Sequence, residues 1–114
     1  MNIRTGIFIS FQKEGFHCWK KAPEEVFFLR DRHRHMFHVE IEKVVNHSDR
    51  DIEIILFKRE VMNFMKKEWG SLQGDWLEFG TMSCEMIAQR LLENFDCKKV
   101  KVTEDGENGA VVWK

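Results

Sequence analysis

Between Arg30 and His38 the chain packs three arginines and three histidines into nine residues, RDRHRHMFH. Imidazole nitrogens ligate metals, and guanidinium forks match carboxylates and phosphates. The order of the residues decides which chemistry is open. From His33 onward, His33, His35, Phe37, Val39 and Ile41 alternate with Arg34, Met36, His38, Glu40 and Glu42. Period two marks a half-buried strand. His33 and His35 therefore share the inward face at the strand's start. Arg30, Arg32 and Arg34 fall on the other face if the strand extends back that far. Two imidazoles at i and i+2 can converge on one ion, and His17 from a neighbouring strand would complete a three-ligand zinc site with an open position. A bare HxH is more often a pair of packed or surface imidazoles, and an arginine row is more often a solvated face. His38 and His47 read as ordinary surface residues. Cys18 follows His17, but adjacent side chains on an extended chain point oppositely. Cys18 is read as structural, and Cys84 and Cys97 as packing.

These side chains need elements to position them. Ile3 to Phe11 is β-rich, and QKEG (Gln12 to Gly15) reads as a bend or bulge before His17. KKAPEE (Lys20 to Glu25) reads as a loop. After the alternating strand, NHSDRD (Asn46 to Asp51) has turn chemistry, and Ile52 to Phe57 reads as the returning strand of a hairpin. Lys58 to Trp69 has helical spacing at Val61, Phe64, Met65 and Trp69. GSLQGDWLEFG is a loop. Thr81 or Ser83 can cap a second helix whose face is Cys84, Ile87, Ala88, Leu91, Leu92 and Phe95. Val100 to Glu104 is a strand, DGENG a turn, and AVVW a short final strand. Strands, two helices, then strands predict an α+β domain, an antiparallel sheet with a pair of antiparallel helices on one face.

The chain has 114 residues and a formal net charge of -1, which suits one domain over residues 1–114 and gives no global pull toward a nucleic acid polymer or a membrane. No apolar run approaches a membrane span, and MNIRTGIFIS lacks the long apolar segment of a signal peptide. Three cysteines without paired spacing fit a reducing, cytoplasmic setting.

Element order and motifs together resemble the 6-pyruvoyl-tetrahydropterin and 6-carboxy-tetrahydropterin synthases, the T-fold family. The resemblance runs from about Phe11 to Trp113. His17 stands sixteen residues before the HRH of His33 to His35, where the family has a histidine and then HGH. MSCEM stands where the family has a PTxEN-like motif and keeps Glu85. VKVTED stands where the family has V-x-V-x-E-T and keeps Glu104. The resemblance implies zinc on His17, His33 and His35, a ring-binding role for Glu104 with Glu85 nearby, and a homo-oligomeric ring. Pterins and guanine-like purines present an amino group beside a ring N–H, and a carboxylate accepts both bonds in parallel.

The departures fall on the family's proton-transfer positions. Leu29 stands where the family has a cysteine, and Gln73 and Gly74 stand where it has an aspartate and a histidine. None of the three is a general base. Two functions follow as expectations. One is a non-catalytic protein that holds or sequesters a purine, pterin or nucleotide in an inter-subunit pocket, with Arg30, Arg32 and Arg34 reaching phosphates. The other is a zinc-dependent lyase of the family's kind, in which Cys18, Asp75 or His47 substitutes. A ligand-free oligomeric scaffold is the third reading.

Overall fold

Two thirteen-residue strands, β1 (Thr5–His17) and β2 (His33–Val45), form the spine of the computed structural model, which describes all residues, Met1–Lys114. They pair antiparallel without a break, from Thr5 opposite Val45 to His17 opposite His33. A 3-10 helix (Glu24–Arg30) lies in the connection, with Pro23 as its N-cap. Then follow α1 (Ile54–Trp69), the two-residue β3 (Leu77–Glu78), α2 (Cys84–Phe95), β4 (Lys99–Glu104) and β5 (Asn108–Trp113). The sheet order is β3-β1-β2-β4-β5. Four strands form an antiparallel meander, and β3 adds parallel to β1 at Gly15 and Phe16. The α+β expectation holds.

Three local expectations need correction. Gln12 to Gly15 is not a bend: β1 runs straight through it, because every residue there has a partner on β2. Ile52 to Phe57 is not a returning strand; α1 begins at Ile54. Glu53 caps it by accepting from the Ile55 and Leu56 N–H groups, at 2.9 and 3.1 Å. Phe57 then joins Val61 and Met65 on the buried face at helical spacing. A short apolar run reads equally as strand or helix, and here the cap decides. The loop from Gly70 to Gly80 contains β3, which makes the sheet mixed rather than purely antiparallel. Of the two candidate caps for α2, Ser83 serves, accepting from the Met86 N–H at 3.2 Å.

One core unites the layers. Ile9, Phe37, Val39, Ile41, Val100 and Val102 rise from the sheet to meet Val61, Met65, Ile87, Ala88 and Leu91 from the helices. All but Ala88 are Val, Ile, Leu, Met or Phe, side chains that contribute about 1.5–3 kcal/mol each when fully buried. Phe95 at the end of α2 packs edge-on against Phe57 and Phe64 of α1, which locks the helices together. Phe37 is fully buried, and its ring meets those of Phe79, His17 and His35 edge-on. It is the floor on which the histidines stand.

Gly15 sits against that floor. A Cβ there would lie 2.9 Å from both the Phe37 and Phe79 rings. Both rings are buried, so neither can yield cheaply. Gly15→Ala is expected to destabilise the protein by about 1–3 kcal/mol. Urea unfolding checks this, and an unchanged midpoint would contradict the packing described here.

Candidate metal centre

The register assembles the site before any side chain turns. His17 and His33 are direct cross-strand partners, and His35 follows two residues on with its side chain on the same face. On the other side of β2, Glu104 stands opposite Phe37, one same-face step from His35. The three imidazoles meet edge-on, with ring centroids 4.6, 5.0 and 5.4 Å apart. One ligating atom from each lies within 4.8 Å of the others.

Hydrogen bonds fix which nitrogen faces inward. His17 Nδ1 lies 2.9 Å from the Met82 carbonyl oxygen. His33 Nδ1 lies 2.8 Å from the Asp31 carbonyl oxygen. His35 Nδ1 lies 2.7 Å from Asp105 Oδ2. A carbonyl can only accept, so Nδ1 of His17 and His33 must carry the hydrogen. The Asp105 carboxyl is held below its ordinary range, first by the Met36 N–H and then by His35, so it too accepts. With the hydrogen on Nδ1, Nε2 of each neutral-form ring is a bare lone pair. This is the outer-shell pattern that orients histidine ligands.

The lone pairs are not otherwise used. His17 is 8 % exposed, and Nε2 of both His17 and His35 is buried without a hydrogen bond. Glu104 Oε2 nevertheless lies 2.9 Å from His17 Nε2, and its Oε1 lies 3.7 Å from His35 Nε2. The short approach is not aligned as a hydrogen bond. A lone pair facing a carboxylate oxygen is repulsive unless a proton or a cation lies between them. Burial holds His17 below its ordinary value of 6.5, against the opposing effects of the Met82 carbonyl and Glu104. A cation therefore fits the arrangement better than a proton. Three converging imidazoles are a donor set suited to zinc, and the Glu104 carboxylate beside them offsets the ion's charge.

A cleft of about 600 Å³ opens beside the histidines. His17, His33, Glu85, Glu104, Cys18 and Cys84 face it, with Trp19, Leu29, Met82 and Met86 among its apolar walls. The Cys84 thiol is pushed up to about 12, first by burial and then by Glu104, with Glu85 and a hydrogen bond to Glu104 adding to it. It stays protonated at neutral pH and is no nucleophile there.

Both candidate glutamates and all three candidate histidines thus gather in one region. The arginines do not. Arg30 donates to the Ala22 carbonyl at 2.8 Å and ends the 3-10 helix, so the strand does not reach back to it. Arg32 grips Glu78 at 2.9 Å and lies over the Phe16 ring. Arg34 pairs with Glu14 on the opposite sheet face from the histidines. Gln73 and Gly74 are exposed and do not line the cleft. Asp75 pairs with Lys13 at 2.7 Å, and His47 faces Asp51 at 3.5 Å, both outside the cleft. The sequence reading missed Asp105, Cys84 and the wall Trp19 as parts of the site, while Leu29, which it placed at the family's cysteine position, does line the cleft. Asp105 had a signal, as the residue after Glu104, but it read only as turn chemistry.

No protein-family model matches the chain, and no curated protein matches it in sequence.

His17 makes a pH prediction. Its folded value lies below its unfolded one, so the unfolded chain binds the extra proton between the two. Stability then rises with pH across that window. The contribution is complete above about 6.5 and is lost as pH falls through the folded value. Chelator-treated protein should lose stability in urea between about pH 7.5 and pH 5.5, and His17→Gln should flatten that slope. An equal slope in the variant would remove His17 as the cause.

Proposed function

We propose that this protein is a T-fold binding protein. It holds a purine- or pterin-type ring at a zinc-binding histidine centre without transforming it. The carrying observation is the placement of Glu104: its carboxylate lines the cleft directly beside the oriented histidines. A ring with an amino group beside an N–H offers two parallel donors to that carboxylate. Leaving the carboxylate unpaired when another ring enters would supply the selectivity. Glu85 lines the same cleft.

His17, His33 and His35 would hold the zinc, which in such a site polarises carbonyl and hydroxyl oxygens of whatever binds. The residues of this chain orient and enclose. Met82, Asp31 and Asp105 fix the imidazoles, and Trp19 and Leu29 shield the cleft. Leu29 on the cleft wall supports binding over turnover, because it stands where the resembled synthases carry a thiol. With Arg30, Arg32 and Arg34 engaged within the chain, the ring rather than a phosphate is the recognised part.

The meander β1-β2-β4-β5, with both helices between β2 and β4, supports the T-fold reading. A ring of subunits belongs to the proposal. β3 covers β1 at only two positions, and β5 forms the other edge, so both edges are open to pairing with another copy. One observation favours the lyase as a second reading: Cys18 lines the cleft beside the histidines and is only partly buried.

Calorimetry of the zinc-loaded protein with guanosine triphosphate, neopterin and adenosine triphosphate tests the proposal. The guanine or pterin ring should bind, and the adenine ring, which lacks the paired donors, should not. Glu104→Gln should weaken binding by about 10–100-fold, the loss of a charge-assisted bond. Mass spectrometry should recover the ligand unchanged. Equal binding by the variant would overturn the assignment of Glu104, and a transformed ligand would install the lyase reading.

A further inference from the structure

Asp105 follows the β4 strand at the tip of the hairpin to β5. Its φ is +57° and that of Gly106 is +71°, and the Glu107 N–H returns to the Glu104 carbonyl at 3.0 Å. Positive φ at both central positions is the tight hairpin turn in which Asp-Gly is favoured. Turn preference alone accounts for an aspartate here. It does not account for where the side chain goes.

The carboxylate reaches across to β2 and makes two bonds with its two oxygens. Oδ1 accepts from the Met36 backbone N–H at 2.9 Å. Oδ2 accepts from His35 Nδ1 at 2.7 Å. The Asp105 N–H itself donates to the Met36 carbonyl at 2.8 Å. The turn is thus bolted to the strand residue next to His35, and the free oxygen of the bolt lands on the imidazole. His35 differs in this from its two companions. His17 and His33 are held by neutral backbone carbonyls, and only His35 is held by a charged acceptor. A carboxylate is the stronger acceptor, and it raises the basicity of the opposite ring nitrogen.

We propose that Asp105 is the positioning residue of the metal centre. It fixes the tautomer and angle of His35, so that Nε2 faces the other two imidazoles. This rests on the reading of His17, His33 and His35 as zinc ligands. It adds a coupling: Asp105 is the next residue after Glu104, so the segment that aims the ring-binding carboxylate also aims a metal ligand.

Asp105→Asn in the full chain is the test. Asparagine tolerates the left-handed turn and can still accept one of the two bonds, but it carries no charge. Zinc affinity measured by chelator competition, with zinc alone as the probe, should fall by about 10–100-fold. Nitrogen NMR of the metal-free variant should show His35 shifting from a single Nδ1–H tautomer to a mixture. Folding of the variant is read separately from its thermal midpoint, with Asp105→Glu as a second variant that restores charge. Partial recovery of affinity in Asp105→Glu would support the charge as the cause. Wild-type affinity and a single tautomer in Asp105→Asn would overturn the proposal while leaving the metal centre standing. No zinc binding by the wild type would instead sink the metal reading, and this inference with it.

Discussion

The antiparallel register of β1 and β2 is the constraint on which the rest depends. Side chains alternate between sheet faces, so a slip of one residue would move every one of them to the opposite side. In the observed register Ile9, Phe37, Val39 and Ile41 enter the core; His17, His33 and His35 share their sheet face, and His17 and His33 line the cleft. The same hydrophobic pairing that stabilises the fold thereby gathers three imidazoles at one sheet end. β4 continues this logic: Val100 and Val102 fill the core, and the next same-face residue is Glu104.

What surrounds the histidines turns proximity into directed chemistry. Phe37 floors the site and the backbone carbonyls of Asp31 and Met82 take two ring hydrogens, while Asp105 takes the third. Lone pairs are left facing one another and facing a carboxylate in a buried place. Such a cluster is costly unless a cation occupies it. Cys84 adds to the local order by keeping its proton and donating toward Glu104.

Much of this was legible in the chain. The period-two pattern from His33 fixed the shared face of His33 and His35 before any coordinates, and the helical face from Cys84 to Phe95 is buried as its spacing required. What failed was where two signals compete. Ile52 to Phe57 has β-branched residues and no proline, yet the Glu53 cap and the burial of Phe57 with Val61 and Met65 go with a helix from Ile54. Gln12 to Gly15 is polar and ends in glycine, yet pairing along the whole of β2 carried the strand through. The arginines were placed on the correct face at Arg34, but their partners Glu14 and Glu78 lie far away in sequence. Asp105 was invisible for the same reason: its role depends on reaching a residue on another strand.

The central claim is that three imidazoles hold one metal ion through Nε2. X-ray absorption at the zinc edge of the zinc-loaded protein tests it most directly. The account predicts a first shell of nitrogen and oxygen at about 2.0–2.1 Å with imidazole outer-shell scattering and no sulfur. A sulfur shell at about 2.3 Å would place the metal on Cys18 or Cys84 and contradict the account.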